Sequence, residues 1–370
     1  MTAWKNCKNI LVIRLDNMGD LLMSTPAIRA LKETFNSRIT VLTSSMAAGI
    51  ARNIPEIDET ITFNVPWVKS ANASFSYDFL RMVEVLKAKQ FDAAVIFTVF
   101  SQNPMPAVML AYLADIPKRL AYCRENPYEL LTNWVPDQEP YTFIKHQVER
   151  DLDLVATVGA TTSNDLLSLK IPDSWDSAQK KLAKNSIDLQ KPWIILHPGV
   201  SELKRQYPTE SWIELGKKLV TDFGYLLILT GSASEKKLTD EIQQGIDTNA
   251  FSIAGLLSLD EYICLIKEAS LLIAVNTGPV HIAAATQTPV LVLYAQTNPQ
   301  HTPWKTCSKV LYFEVPEALQ SKNEVLKFVQ QQQEKAPETV AVEDILEGVS
   351  TLLSFPTKRG MTINANVTTK

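Results

Sequence analysis

Between Leu271 and Tyr294 the chain reads strand, turn, helix, strand, and no other stretch constrains the fold as strongly. Leu271-Leu272-Ile273-Ala274-Val275 is an apolar run of strand length, and Asn276-Thr277-Gly278-Pro279 is a polar turn. His281 to Ala285 supplies small, helix-forming residues. Pro279 suits a first helical turn, where its missing N–H would have no partner anyway. Pro289 to Tyr294 is a second strand, so the stretch specifies a compact βαβ unit and a parallel sheet. A helix opening at the carboxyl end of such a strand presents backbone N–H groups and a positive dipole end, which attract phosphate. Gly278 permits close approach of a ligand to the backbone, and His281 adds a donor. Many α/β proteins contain such a turn and bind nothing there, so the rest of the chain has to decide.

The same alternation recurs on both sides. Asn9 to Ile13 is a buried strand, Asp16-Asn17-Met18-Gly19-Asp20 a turn, and the next residues form a helix carrying Leu21, Leu22, Pro26, Ile28 and Leu31. Strands follow at Ile39–Thr43, Thr60–Phe63 and Phe91–Phe97, with a helix over Phe79–Lys89. Residues 100–150 read as irregular, aromatic and rich in Pro and Asn, with Lys118-Arg119 opening a strand-like Leu120-Ala121-Tyr122 and Lys145-His146 opening a helix to Val158. A long loop of that kind is either a solvated face or a binding surface. Pro172 to Lys191 is a linker or a surface helix, after which Trp193–Leu196, Tyr225–Thr230 and the central stretch continue the alternation. The last helix is Val340–Leu353. Strands alternating with helices define doubly wound parallel sheets, whose ligands sit at the carboxyl ends of the strands.

Asp20 lies at that edge, after the first strand. It serves either as a helix cap or as a general base for an attacking hydroxyl. No G-x-G-x-x-G is present in the first turn, so a dinucleotide site there is not expected. In the second half Gly199 and Ser201 form an anion-binding turn followed by Lys204 and Arg205, and Glu235 opens a helix after Gly231-Ser232. Cations and helix openings suit a diphosphate, and a carboxylate accepts two hydrogen bonds from a ribose diol. Two doubly wound domains facing each other across a cleft would set Asp20 opposite a nucleotide-diphosphate site.

The 370 residues suffice for two domains, and 46% hydrophobic content gives each a core. A net charge of −4 argues against non-specific nucleic-acid binding. Cys7, Cys123, Cys264 and Cys307 show neither zinc nor redox spacing, and a reduced, cytoplasmic setting is expected. The first residues do not read as a signal peptide, and no apolar run reaches the ~18 residues of a membrane span.

Four groups of residues together resemble the heptosyltransferases of glycosyltransferase family nine, which have the GT-B architecture. They are Ile13-Arg14-Leu15 with Met18-Gly19-Asp20-Leu21-Leu22 and Thr25-Pro26-Ala27; His197-Pro198-Gly199 with Lys204 to Pro208; Thr230-Gly231-Ser232 with Glu235; and Asn276 to His281 with Ala284, Thr288-Pro289-Val290 and Thr297-Asn298-Pro299. The likeness runs from Ile10 to about Leu353. It implies a metal-independent, inverting transfer without a cofactor, from a nucleotide-diphosphate sugar, usually ADP-heptose, to a lipid-linked lipopolysaccharide core or related envelope glycan. It implies an acceptor-binding Rossmann-like domain over 1–175, a nucleotide-sugar-binding one over 176–355, and a polar tail over 356–370. By the same resemblance Asp20 is the catalytic base and Lys204 or Arg205 the phosphate clamp. Glu235 is then the ribose contact, with Gly278 and His281 at the phosphate-binding helix start. Acceptor candidates are Arg14, Lys118, Arg119, Lys145 and His146. A lipid-linked acceptor implies transient contact with the inner face of the inner membrane.

Two positions depart from the pattern. Asn276 stands where users of ADP-heptose commonly carry Asp, and the Lys204-Arg205-Gln206-Tyr207-Pro208 segment is looser than Lys-x-Trp-Pro. Two other readings compete: a non-catalytic or differently specific nucleotide-sugar-binding protein of the same fold, and an epimerase acting on UDP-sugars. Retention of Asp20 disfavours a non-catalytic protein, and the scarcity of further acid/base groups disfavours an epimerase.

Overall fold

The computed structural model describes residues 4–68 and 75–354. The expected polar tail, 356–370, lies outside the described residues. The chain forms two compact units, Met1–Lys170 with Pro299–Trp304, and Ile171–Asn298 with Lys305–Lys370. The short segment after Asn298 therefore packs with the first unit before the chain resumes the second.

The first unit is built on β1 (Asn9–Arg14), β2 (Arg38–Thr43), β3 (Glu59–Thr62), β4 (Ala93–Ile96), β5 (Arg119–Cys123) and β6 (Asn133–Pro136). They lie in the order β3-β2-β1-β4-β5-β6, and every recorded pairing is parallel. The second unit holds β7 (Trp193–His197), β8 (Leu226–Leu229), β9 (Ala250–Ser252), β10 (Leu272–Val275), β11 (Val290–Ala295) and β12 (Ser308–Phe313). Their order, β12-β11-β10-β7-β8-β9, repeats the first sheet's topology with all pairs parallel. In each unit the order reverses beside the first strand, between β1 and β4 and between β7 and β10. At such a switch point neighbouring connections leave to opposite faces and open a crevice at the carboxyl ends of the strands.

The central strands are apolar on both faces because helices cover both. In β1, Ile10 to Ile13 are almost completely buried, and so are Leu272 to Val275 in β10. Burying each such Val, Leu or Ile side chain contributes about 1.5–3 kcal/mol.

Several elements differ from the sequence pattern. Asp20 sits inside a helix, Met18–Met23, and a second helix, Thr25–Phe35, begins after Ser24. Pro26 separates them, because its ring would clash with the Leu22 carbonyl of a continuous helix. The Thr25 hydroxyl donates to that carbonyl instead, at 2.7 Å. Residues 100–150 are not one long loop, since they contain the helix Met105–Leu113 and the strands β5 and β6. Pro136 fits because β6 is the edge strand. The stretch Pro172–Lys191 contains a helix, Trp175–Lys184, docked on the helix Leu259–Glu268 through Glu261, which accepts from Ser177 Oγ at 2.6 Å and Lys181 Nζ at 2.7 Å. Among the described residues no helix is long and apolar enough to cross a membrane.

Candidate active site

In the first unit Asp20 stands at the switch point, beyond the end of β1. It is 8% exposed and makes contacts through both carboxylate oxygens. Oδ2 accepts from the Asn17 amide at 3.1 Å, the reach-back half of a capping box. Oδ1 accepts from Arg14 Nη2 at 3.2 Å and lies 3.7 Å from His301 Nε2. The cap and the candidate base are thus the same side chain.

Arg14 is fully buried at the end of β1, so it is a counter-ion to its own neighbours and not an exposed acceptor contact. Its Nε lies 3.3 Å from Asp16, and Asp151 acts on it from the helix Gln147–Ala156. Burial alone would lower its pKa; Asp16, Asp20 and Asp151 outweigh this and hold the guanidinium charged. Burial pushes the Asp16 carboxyl up and lifts Asp151 to about 6. Asp151 accepts from Ser24 Oγ at 2.7 Å and Gln147 Nε2 at 2.8 Å. Asp16 and Asp151 carried no local signal in the sequence, because packing alone gathers them around Arg14.

The remaining acceptor candidates do not gather at Asp20. Lys118 and Arg119 lie at the amino end of β5, and in a parallel sheet that is the edge opposite the ligand crevice. Arg119 is buried and spends its guanidinium on the carbonyls of Ile116, Glu129 and Leu130. Lys145 pairs with Asp153. His146 caps its helix, with Nδ1 accepting from the Val148 amide at 3.2 Å. That leaves the proton on Nε2, which donates to the Thr302 carbonyl at 2.9 Å. Burial lowers the pKa of His146 and favours this neutral form.

His146 therefore holds the segment Pro299–Trp304 in place. Gln300, fully buried, donates to Glu139 Oε1 at 3.0 Å and to the Lys145 carbonyl at 3.1 Å. Trp304 donates to the Asp165 carbonyl at 2.7 Å, and its ring lies 4.6 Å from that of His146. These anchors seat His301 beside Asp20.

In the second unit the candidates flank the other switch point. Gly199 and Ser201 follow β7, and Asn276, Thr277, Gly278 and His281 follow β10, with Gly278 opening the helix Gly278–Thr286. Glu235 lies over Gly199: a Cβ there would come within 2.3 Å of the Glu235 carboxyl carbon, so only glycine admits this packing. Glu235 Oε2 accepts from the Ser232 amide at 2.6 Å and hydroxyl at 2.8 Å, so most of the acceptor capacity left for a ligand is on Oε1. Beside it, burial depresses His197 to about 4, and its Nδ1 contacts the Thr230 and Tyr262 hydroxyls at 3.0 and 3.1 Å.

Lys204 and Arg205 differ in their engagements. Arg205 Nη1 donates to the Asn276 carbonyl at 3.0 Å and Nη2 pairs with Glu202 at 3.3 Å. Lys204 pairs only loosely with Glu202, at 3.4 Å. Asn276 is 8% exposed. Its Nδ2 donates to the Ala295 carbonyl at 3.4 Å and Thr297 Oγ1 at 3.2 Å, and its Oδ1 accepts from the Ala295 amide at 3.3 Å. An aspartate at this position would satisfy only the acceptor half. Among the described residues no three His, Cys, Asp or Glu side chains are grouped to hold a metal ion.

Comparison with known proteins agrees with this architecture. The model of glycosyltransferase family 9 (heptosyltransferase) matches residues 79–335, more than half of the chain. Lipopolysaccharide heptosyltransferase 2 of Escherichia coli K12 is 27% identical over 309 residues, covering 80% of this chain and 84% of that protein. Lipopolysaccharide heptosyltransferase 3 of the same strain is 25% identical, covering 78% and 82%. Among solved structures, a family 9 glycosyl transferase from Veillonella parvula superposes with TM-score 0.76 at 19% identity, covering 93% of this chain and 97% of that one. The E. coli ADP-heptose heptosyltransferase II gives 0.70 at 22%, covering 93% and 98%. The two six-stranded parallel sheets are those of the GT-B fold, and the chain belongs to glycosyltransferase family 9, the heptosyltransferases.

Proposed function

We propose that this enzyme transfers heptose from ADP-heptose to a lipopolysaccharide-core acceptor, with inversion and without a metal ion. The observation that carries the reading is Asp20, a carboxylate oriented by Arg14 and the Asn17 amide at a switch-point crevice. The relatives, among them a lipopolysaccharide heptosyltransferase and an ADP-heptose heptosyltransferase, suggest donor and acceptor.

In the proposed step the acceptor hydroxyl gives its proton to Asp20 while its oxygen attacks the anomeric carbon from the face opposite the diphosphate. The bond from that carbon to the phosphate oxygen breaks, and its electron pair leaves with the diphosphate. A single base on the attacking side suffices. The leaving charge is met by Lys204 and the opening of Gly278–Thr286, with His281 in its first turn. Of the two basic residues we assign the clamp to Lys204, since Arg205 braces the Asn276 carbonyl. Glu235 receives the ribose hydroxyls over Gly199, and Asn276 positions the β11 end beside the donor.

The acceptor domain and the donor domain correspond in this reading to the first and second units. Exposed apolar side chains on two neighbouring helices of the first unit, Leu80 with Met109, Tyr112 and Leu113, support peripheral contact with the lipid carrying the acceptor.

A thermal-shift screen against ADP, UDP, GDP, CMP and dTDP, with and without EDTA, tests the donor site. A ligand at 100 times its Kd stabilises by about 2.7 kcal/mol. The expected outcome is a shift with ADP that EDTA leaves unchanged. A shift that needs a metal ion, or that another nucleotide alone produces, would overturn the donor assignment.

A further inference from the structure

We infer that His301 is a positioning residue for Asp20, and that its charge state gates the base. The inference rests on Asp20 serving as the base and adds a second titratable group to it. His301 Nε2 lies 3.7 Å from Asp20 Oδ1, the same oxygen that accepts from Arg14 Nη2. With its own proton in place, His301 sets a second cation beside that oxygen. Two cations on one carboxylate oxygen lower its affinity for the acceptor's proton and compete for its lone pairs. When His301 is neutral, that second cation is gone and the Arg14 contact to Oδ1 remains. Transfer is therefore fastest with His301 deprotonated.

The position is built, not incidental. His301 lies between Gln300, which is fully buried and bonded to Glu139 and the Lys145 carbonyl, and Thr302, whose carbonyl accepts from His146. Its own side chain is 21% exposed, so it exchanges protons with solvent, whereas Asp20 is nearly enclosed. The charged groups around it are Asp20 from the helix Met18–Met23, Arg14 from β1 and Asp16 just beyond that strand. On the other side of the segment stand Glu139, Lys145 and His146, the first two already engaged with Arg150 and Asp153. Burial lowers the pKa of His146 and favours its neutral form. Asp151, which is lifted to about 6 and acts on Arg14, is common to wild type and the His301 variants, so a difference between their pH profiles reports His301.

The test is the pH profile of kcat/KM for transfer from ADP-heptose, read as the ratio of its value at pH 5.5 to that at pH 8. Wild type, His301→Gln, His301→Asn, Gln300→Ala and Asp20→Asn are compared. The ratio should be about tenfold higher in both His301 variants than in wild type, because one titrating cation is gone. Gln300→Ala keeps the His301 charge but loosens its seat, so its ratio should lie between those of wild type and the His301 variants. If the His301 variants give the wild-type ratio while Asp20→Asn abolishes transfer, the inference fails and the base assignment stands. If Asp20→Asn retains transfer, the base assignment fails and takes this inference with it.

Discussion

Arg14 has three carboxylates, Asp16, Asp20 and Asp151, acting on one fully buried guanidinium. Removing one partner of a buried ion pair typically costs about 3–5 kcal/mol, since the other charge is stranded. Arg14→Met should therefore lower stability by about that much in urea unfolding. Asp151 gives a pH signature. Its pKa is raised in the folded state, to about 6, above the roughly 3.9 of an unfolded chain. The folded state then holds the proton more tightly, and stability falls as pH rises between those two values. The loss is about 3 kcal/mol by the linkage relation. Asp151→Asn should flatten that part of a stability–pH curve, because an amide can still bond Ser24 and Gln147; an unchanged slope would show that other groups carry it. Asn276→Asp should cost about 1–3 kcal/mol, since it loses both donated bonds and faces the Ala295 carbonyl with a charge.

At the scale of elements, the loop after β7 and the Ala233–Glu235 turn are fitted together through Gly199. Gly199→Ala should displace Glu235 and weaken ADP binding at least tenfold in calorimetry, with the melting temperature nearly unchanged. Strand–turn–helix units with a Gly or Pro at the turn were legible in the sequence, because those residues restrict the backbone locally. Elements without such signals were not. Met105–Leu113 is apolar on all sides and shows no helical stripe. β9 is only three residues long, and β12 is an edge strand that is half exposed, so neither has the continuous apolar run of β10. Asp20 could be singled out from its place after β1. The partnership of Arg14, Asp16 and Asp151 could not, nor could that of His301, because tertiary packing alone creates it. Lys118 and Arg119 open β5, so their place in the sequence already sets them at the amino edge of a parallel sheet, and charge alone makes them candidates.

For the whole molecule, two sheets of one topology carry different groups at their switch points, a buried, oriented carboxylate in the first unit and cations with a helix opening in the second. Family membership rests on more than half the chain, and the proposed chemistry rests on Asp20. Vesicles containing anionic lipid should carry the protein upward in flotation at low salt, and Leu80→Ser with Leu113→Ser should weaken this. The most direct test of the central claim is transfer from ADP-heptose to a lipopolysaccharide-core acceptor by wild type and Asp20→Asn in EDTA, with ADP affinity measured in parallel. Loss of general-base catalysis alone slows a reaction about 10²–10⁴-fold. Asp20→Asn should bind ADP like wild type and transfer at least a hundredfold more slowly, and the wild-type product should carry an inverted linkage. Wild-type transfer rates in Asp20→Asn, or a retained configuration in the wild-type product, would contradict the account.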